Sequence, residues 1–222
     1  MNKYQFLKVG FIILFRILTT IKISGLERVP RDTPFILAMN HLTLVEPPLL
    51  LLVMPVKRLT GFVARKWETH PLVGWIVRWA GAIFVNRDEI DRQALKMALD
   101  VLQQGGVLGM APEGTRSQTG GLIRAKPGIA YLATKANVPV LPVGISGQKD
   151  FTQKLKRLQR LQLVVNIGEL IYLPPVTGAN RSEALQRYAD EVMVAIARLI
   201  EPELRGVYAA ETESKATPGL QQ

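Results

Sequence analysis

The chain has 222 residues, of which 48% are hydrophobic; this suffices for one well-packed domain and is too apolar for a disordered protein. It contains no cysteine, which excludes disulfide bonds, thiolate catalysis and cysteine-ligated zinc. Lysine and arginine number 28 against 18 aspartates and glutamates, and the net charge of +10 favours an anionic partner such as nucleic acid, a membrane surface or an acidic small molecule.

The first segment of the chain is both apolar and basic. A helix drawn from Phe6 to Ile23 places most of its apolar residues on one side, and no acidic residue precedes Glu27. Because Arg16 interrupts the apolar run, the segment is predicted to lie in the membrane interface, as a helix over residues 1–24, and not to span the bilayer. The alternative is a docking helix that covers the core of the domain itself.

Strands and helices alternate in the rest of the chain. Strands are predicted at residues 35–39, 59–64, 82–85, 107–111, 140–144 and 163–167. Helices are predicted at residues 49–54, 71–80, 88–104, 127–136 and 182–200, the third of them capped by Asp88. This order predicts a single α/β domain over residues 25–202, with a mainly parallel or mixed sheet flanked by helices. Residues 203–222 are predicted to form a polar tail.

The strand at residues 35–39 leads into Asn40-His41, and Glu46 follows five residues after the histidine. A histidine oriented by a carboxylate can act as a general base. A lone histidine after an apolar strand is more often structural, and Glu46 could simply be a charge at the start of a helix. The second histidine of the chain, His70, lies outside every motif and is interpreted as structural.

The strand at residues 107–111 leads into the sequence Pro-Glu-Gly-Thr-Arg-Ser at residues 112–117. Gly114 allows a tight turn whose backbone N–H groups can face an anion, and Arg116 offers a fork of donors to a phosphate. An internal ion pair between Glu113 and Arg116 is the structural alternative. Together with the histidine motif, this turn indicates a hydroxyl made nucleophilic on a substrate that carries phosphate.

Four blocks of the sequence occur in order between about residues 25 and 145. They are Asn40 to Glu46, Gly81 to Arg87, Pro112 to Ser117 and Val138 to Val143. The set resembles the motifs of the glycerolipid acyltransferase family, which includes the lysophosphatidic acid acyltransferases. The first block of that family has aspartate where this chain has Glu46, so the acid here is one methylene longer.

The resemblance implies an O-acyltransferase at a membrane surface. It would move a fatty acyl chain from a CoA or acyl-carrier-protein thioester to the free hydroxyl of a lysophospholipid, with 1-acylglycerol 3-phosphate as the expected acceptor. His41 is the implied base and Glu46 the residue that orients it, while Glu113 would position the acceptor or the motif around it. The implied substrate-binding residues are Arg87, Glu113, Gly114, Thr115 and Arg116.

The expected partners are a membrane lipid acceptor, the acyl donor and an anionic membrane surface. No nucleic acid is expected, since no nucleic-acid-binding pattern is present. No cofactor or metal is expected either, because the thioester is a co-substrate. The predicted location is the cytoplasmic face of the cell membrane, as a peripheral or monotopic protein. Two alternatives stay open: acyl transfer to another lysolipid or alcohol, and a non-catalytic relative that binds anionic lipid.

Overall fold

A computed structural model describes residues 15–56, 59–79, 81–86, 91–149, 151–157 and 159–213. The strands are β1 (Thr19–Ser24), β2 (Phe35–Met39), β3 (Leu59–Ala64), β4 (Ile83–Val85), β5 (Val107–Met110), β6 (Val140–Ser146) and β7 (Leu161–Ile167). The helices are α1 (Glu46–Val53), α2 (Pro71–Trp79), α3 (Arg92–Gln103), α4 (Gly128–Ala136), α5 (Phe151–Lys156), α6 (Arg181–Ala197) and α7 (Ala209–Glu213). Short 3₁₀ helices are formed by Leu26–Arg28, Arg65–Trp67, Pro202–Leu204 and Gly206–Tyr208.

The seven strands form one sheet in the order β1-β7-β6-β2-β5-β3-β4. Neighbouring strands are parallel except for β6 and β7, which are antiparallel. The sheet is flanked by helices, and this confirms the predicted α/β fold class with mixed strand directions. Strand β2 lies at the centre, between β6 and β5, so the residues that follow it emerge in the middle of the sheet.

Strand β2 is buried on both faces, as its continuous apolar sequence predicts for a central parallel strand. Alternate side chains point to opposite faces of a strand. Phe35, Leu37 and Met39 accordingly pack in a cluster with α1, while Ile36 and Ala38 pack in a second cluster with α3, α4 and α6. The two clusters fix the position of β2 and therefore the point where its carboxyl end leaves the sheet.

Helix α3 begins later than the sequence suggested. Its cap is Asp91, whose carboxylate accepts a hydrogen bond from the Ala94 N–H at 3.0 Å. The predicted cap, Asp88, lies outside the described residues. An aspartate suits an N-cap at either position, so composition alone could not choose between the two. Ala94, Ala98 and Leu102 lie on one face of this helix and are all buried.

The helix predicted from Phe6 to Ile23 is wrong at its carboxyl end. Residues 15–18 are helical, but Thr19–Ser24 form β1, which pairs in parallel with β7. Four of these six residues are β-branched and favour an extended backbone, and their pairing covers what would otherwise be an open edge of β7. Residues 1–14 lie outside the described part of the chain, so their interfacial helix stays a prediction.

The polar tail predicted from residue 203 is wrong as far as residue 213. This segment packs against the domain through Tyr208, which is only 3% exposed. The backbone joins in, because the Leu122 N–H donates to the Leu204 carbonyl at 2.9 Å and the Val207 N–H donates to the Leu122 carbonyl at 3.1 Å. Tyr208 and these two backbone hydrogen bonds thus dock the segment. Residues 214–222 lie beyond the described residues.

The hydroxyl of Tyr208 is the polar anchor of this docked segment. It donates a hydrogen bond to Asp190 Oδ1 at 2.7 Å and accepts one from the Ala125 N–H at 2.9 Å. Burial raises the pKa of Tyr208, and the hydrogen bond to Asp190 raises it further, so the hydroxyl stays protonated and able to donate.

Replacing Tyr208 by phenylalanine should lower the free energy of unfolding by about 1–3 kcal/mol, because the buried Ala125 N–H loses its acceptor. Urea denaturation followed by tryptophan fluorescence measures this change. Tyr172→Phe is the matched control, since Tyr172 is 73% exposed and its hydroxyl can be satisfied by water. Equal stability of the two variants would show that the hydroxyl does not hold the segment.

Candidate active site

Three loops meet at one edge of the sheet because β6, β2 and β5 are adjacent and parallel. His41 follows β2, the turn at residues 112–117 follows β5, and Gln148 lies just after β6. Sites in open α/β sheets lie outside the carboxyl ends of the strands, where the loops are free to carry chemistry. The structure thus brings the two sequence motifs together from positions about seventy residues apart.

The side chain of Asn40 links the end of β2 to β6 by hydrogen bonds. Its side-chain Nδ2 donates to the Ile145 carbonyl at 2.9 Å, and its Oδ1 accepts from the Ile145 N–H at 2.8 Å. The side chain is fully buried, and this reciprocal pair continues the ladder between the two strands beyond the last backbone pairing. The position of the next residue, His41, is fixed as a result.

Glu46 is a fully buried carboxylate at the start of α1. Its Oε1 accepts from the N–H groups of Leu42 and Thr43, and its Oε2 accepts from the Thr43 hydroxyl. Gln148 Nε2 adds a further donor to Oε1 at 3.2 Å. Burial on its own raises the pKa of Glu46, but its interaction with His41 and the backbone N–H donors outweigh burial, so the pKa is lowered. The side chain is therefore ionised at neutral pH.

His41 faces Glu46 through its Nδ1 atom, which lies 3.6 Å from Glu46 Oε2. This distance is too long for a hydrogen bond, so the two groups face each other without being hydrogen-bonded. Nδ1 is buried and makes no hydrogen bond to any described residue. A relative movement of roughly 0.6 Å would bring the two atoms to hydrogen-bonding distance, an adjustment that is common in catalytic pairs.

Glu113 is the second buried carboxylate, with 1% exposure. Its Oε1 accepts a hydrogen bond from the backbone N–H of His41 at 2.8 Å, and its Oε2 accepts one from the Ile123 N–H at 3.0 Å. Both oxygens are thus occupied by backbone donors from two different loops. The carboxylate braces the histidine loop, and the internal pair with Arg116 is not among the ion pairs of the described residues.

Burial raises the pKa of Glu113 to about 7, and the negative charge of Glu46 adds to the rise, although the two N–H donors oppose it. The pKa values of the two carboxylates of the site are therefore shifted in opposite directions. Glu46 remains charged over the neutral range, whereas Glu113 changes its charge within it.

The turn after β5 projects a cationic side chain beside the histidine. Gly114 has a φ of 70°, which L-residues adopt only with strain, and the Ser117 N–H donates to the His41 carbonyl at 2.9 Å. Thr115 and Arg116 are exposed at the tip of the turn. Arg87, the other expected phosphate ligand, lies outside the described residues.

Lys126 is a candidate residue that the sequence analysis missed. Its side chain lies over the turn, since a Cβ added to Gly114 would sit 3.0 Å from Lys126 Cδ and 3.5 Å from its Nζ. Lysine 126 belongs to none of the four blocks, and only the folding of its loop back onto residue 114 reveals the contact. Two cations therefore lie at the turn: Arg116 belongs to it, and Lys126 lies over it.

His41 stands where two cavities meet. A polar cleft of about 330 Å³ is lined by His41, Leu42, Leu44, Lys66, Trp67 and residues 115–118. A larger cavity of about 1150 Å³ shares His41, Leu44 and Trp67 with the cleft. It extends between the sheet and α1, α2 and α3, where its walls are mostly apolar side chains. One imidazole is thus accessible from a cationic cleft and from an apolar cavity.

Two glycines form part of the floor of the larger cavity. Gly61 on β3 and Gly109 on β5 are direct neighbours in the sheet, and both line the cavity. A Cβ added to Gly61 would lie 3.2 Å from the Gly109 carbonyl oxygen, and one added to Gly109 would lie 3.3 Å from Leu59 Cδ1. Bare backbone therefore borders the cavity at this point.

The second histidine of the chain, His70, has a local structural role. His70 Nδ1 accepts a hydrogen bond from the Val73 N–H at 3.1 Å, which satisfies a donor at the start of α2. It lines neither cavity. Within the described ranges there is no group of three or more histidine, aspartate or glutamate residues placed to bind a metal ion.

Comparison with known proteins gives consistent results. The chain is 27% identical to the bovine 1-acyl-sn-glycerol-3-phosphate acyltransferase alpha over 84% of its own length and 66% of that protein. It is 31% identical to the lyso-ornithine lipid O-acyltransferase of Pseudomonas aeruginosa, over 79% of this chain and 72% of that protein. The crystal structure of PlsC, the 1-acyl-sn-glycerophosphate acyltransferase of Thermotoga maritima, superposes with a TM-score of 0.63 at 25% identity and covers 99% of this chain and 86% of that one.

The family model described as "Acyltransferase" matches residues 20–146, a span that includes the histidine loop and the turn after β5. The chain spans slightly less than two thirds of the length of the bovine and human relatives. Since this match covers more than half of the sequence, the chain belongs to the acyltransferase family.

Proposed function

We propose that the protein is a glycerolipid O-acyltransferase. It transfers a fatty acyl chain from a thioester to the free hydroxyl of a lysophospholipid, and 1-acylglycerol 3-phosphate is the acceptor that the site suits best. The observation that carries the proposal is the meeting of a cationic polar cleft and a larger, mostly apolar cavity at His41. An acyl chain needs the apolar cavity, and a phosphate headgroup needs the cationic cleft.

The chemical step uses His41 as general base. The imidazole takes the proton of the acceptor hydroxyl, and the oxygen forms an ester bond with the acyl carbon. The carbon–sulfur bond breaks, and the proton held by His41 passes to the departing thiolate. Proton transfer of this kind contributes typically ~10²–10⁴-fold to a rate. Glu46, buried and ionised, stabilises the imidazolium that forms between the two steps.

Arg116 and Lys66 supply positive charge to the polar cleft, and Lys126 adds a cation over Gly114. These groups bind the acceptor phosphate, with Thr115 and the backbone of the turn as further donors. Arg87 of the second block serves the same phosphate. Glu113 acts as a positioning residue for the histidine loop, since both of its oxygens are engaged by backbone donors.

The acyl donor is a thioester of CoA or of an acyl carrier protein, and the reaction needs no further cofactor. The apolar cavity, at about 1150 Å³, exceeds the size of most small-molecule sites and accommodates a long acyl chain. Its apolar wall supports a fatty acyl group in preference to a short one, because each buried methylene adds about 0.8 kcal/mol.

The acceptor and the anionic surface that carries it lie at the edge of the sheet where the histidine emerges. Arg160 Nη2 donates to the carbonyls of Arg16 and Thr19, which ties the start of β1 to that edge. Ile17 and Leu44 are exposed nearby, at 60% and 50%. The protein binds the cytoplasmic face of the cell membrane peripherally through these groups. None of the helices in the described part of the chain has the length and hydrophobicity that a bilayer crossing requires.

A second acceptor is favoured by one observation. The relative from Pseudomonas aeruginosa, named for acyl transfer to a lyso-ornithine lipid, has a higher sequence identity than the bovine enzyme, 31% against 27%. A lysolipid without phosphate is therefore the alternative substrate. The choice between the two classes depends on whether Arg116 and Lys126 recognise a phosphate.

Incubating the purified protein with a panel of lysolipids and with acyl-CoA or acyl-carrier-protein donors tests the proposal, with products identified by mass spectrometry. Phosphatidic acid should form from 1-acylglycerol 3-phosphate. His41→Ala should abolish its formation because the base is removed, while His70→Ala, which changes a residue outside both cavities, should retain most activity. Product formation by a folded His41→Ala protein would contradict the mechanism.

Replacing Arg116 by alanine should raise the KM for 1-acylglycerol 3-phosphate about tenfold or more, because a charge-assisted contact with the phosphate is lost. The KM for a lysolipid without phosphate should stay unchanged in the same variant. Steady-state kinetics with both acceptors measures the difference, with Arg187→Ala on the exposed side of α6 as the control. An unchanged KM for the phosphate acceptor would remove Arg116 from the binding site.

Replacing Glu113 by glutamine should lower the free energy of unfolding by about 1–3 kcal/mol at pH 5, since an amide nitrogen would face a backbone N–H. The folded-state pKa of about 7 exceeds the ordinary value of 4.5, so the folded protein holds this proton more tightly than the unfolded chain does. The stabilising contribution is fully present below pH 4.5 and is lost as the pH rises through 7.

The free energy of unfolding of wild type relative to Glu113→Gln should therefore fall by roughly 2–3 kcal/mol between pH 5 and pH 8, so that the advantage of wild type vanishes or reverses. Urea denaturation at several pH values measures it. Glu203→Gln, which changes an exposed carboxylate, should show no such trend. A difference that stays constant with pH would mean that Glu113 titrates as an ordinary carboxylate.

A further inference from the structure

Gln148 is a buried polar residue that the proposed mechanism leaves unused. It lies two residues after β6, is 1% exposed and lines neither cavity. Its Nε2 donates to Glu46 Oε1 at 3.2 Å and to the Ile145 carbonyl at 3.0 Å. The side chain thus connects the carboxylate beside the histidine with the end of a neighbouring strand.

The orientation of this amide is fixed by its surroundings. Turning the group around would place Oε1 of Gln148 against two acceptors, Glu46 Oε1 and the Ile145 carbonyl, and repulsion forbids that arrangement. In the orientation that remains, Oε1 is buried and has no hydrogen-bond partner among the described residues. A buried acceptor without a partner is costly, so an apolar residue would serve better if Gln148 only filled space.

The other hydrogen bonds to Glu46 come from its own loop. Leu42 and Thr43 hold the carboxylate relative to residues 42–46, but they do not fix that loop relative to the sheet. Among the described residues, Gln148 provides the one side-chain hydrogen bond to Glu46 from outside this loop, 102 positions along the chain. Gln148 therefore provides a side-chain hydrogen bond that links Glu46 to the end of β6.

The same residue of β6 anchors both members of the catalytic pair. Ile145 exchanges two hydrogen bonds with Asn40, which immediately precedes His41, and its carbonyl also accepts from Gln148, which holds Glu46. The histidine and its carboxylate are thus both connected, through Asn40 and Gln148, to the backbone of Ile145. The separation between them depends on both connections.

We propose that Gln148 is a positioning residue for the reaction: by holding Glu46 Oε1, it keeps Oε2 opposite His41 Nδ1. The inference rests on the proposed acyl transfer. Glutamate is longer by one methylene than the aspartate of the motif that this loop resembles, and that extra reach is what allows the carboxylate to contact Gln148. Gln148 and Glu46 consequently act as a pair.

The first test is Gln148→Met, which keeps the length of the side chain and removes its N–H donors. The kcat should fall about tenfold, as expected for the loss of one hydrogen bond to a charged group, with the KM values for both substrates unchanged. Gln153→Met on the exposed face of α5 is the matched control and should keep the wild-type kcat. Urea denaturation of each variant reports whether it is folded, and Gln148→Leu replaces Gln148→Met if that variant is not.

The second test is a double-mutant cycle in which aspartate replaces Glu46. The shorter carboxylate does not reach Gln148, so adding Gln148→Met to Glu46→Asp should change kcat by less than about twofold. Long incubations with mass-spectrometric detection keep even slow variants measurable. An equal fall in kcat in both backgrounds would show that Gln148 acts through general packing, and an unchanged kcat in Gln148→Met alone would equally overturn the inference.

Failure of the positioning role of Gln148 and failure of the proposed acyl transfer give different results. If the wild-type protein forms product and Gln148→Met matches it, only the positioning role is refuted. If the wild-type protein transfers no acyl group to any acceptor, the proposed function itself is refuted, and with it the reaction in which Gln148 would take part.

Discussion

The site depends on the need of two buried carboxylates for hydrogen-bond donors. A carboxylate removed from water is unfavourable unless donors surround it, and both Glu46 and Glu113 find theirs in the backbone next to His41. Glu113 takes the N–H of the histidine itself, and Glu46 takes those of the two residues that follow it. The backbone donors that satisfy both acids belong to the histidine loop, so the imidazole is held by the same contacts that make burial tolerable.

The pKa values of the same two acids differ because the number and kind of their hydrogen-bond donors and charged neighbours differ. Both are almost fully buried, yet the pKa of Glu46 is lowered and that of Glu113 is raised. Glu46 has donors from the backbone, a hydroxyl and an amide and lies close to the imidazole, whereas Glu113 has two backbone N–H groups and the repulsion of Glu46. The stronger set of donors thus surrounds the acid that faces the histidine, which is where a permanent negative charge is useful.

Sequence reasoning reached the parts of this molecule that depend on local pattern. The apolar runs predicted the central strands and their order of alternation with helices, and the two motifs located His41 and the turn at residues 112–117. It failed where partners are distant in the chain. β1 needed β7 as its partner, Tyr208 needed Asp190, and neither the brace formed by Glu113 nor the link through Gln148 has a signature within its own segment.

The glycine pair at Gly61 and Gly109 separates two properties of the site. These residues shape the floor of the apolar cavity from the middle of β3 and the body of β5, whereas His41 and the residues that hold it lie on loops beyond the strand ends. A side chain added at either glycine alters the room available in the cavity without touching a hydrogen bond of the histidine loop. Single substitutions at these glycines would therefore change which ligands fit while leaving the contacts that hold His41 intact.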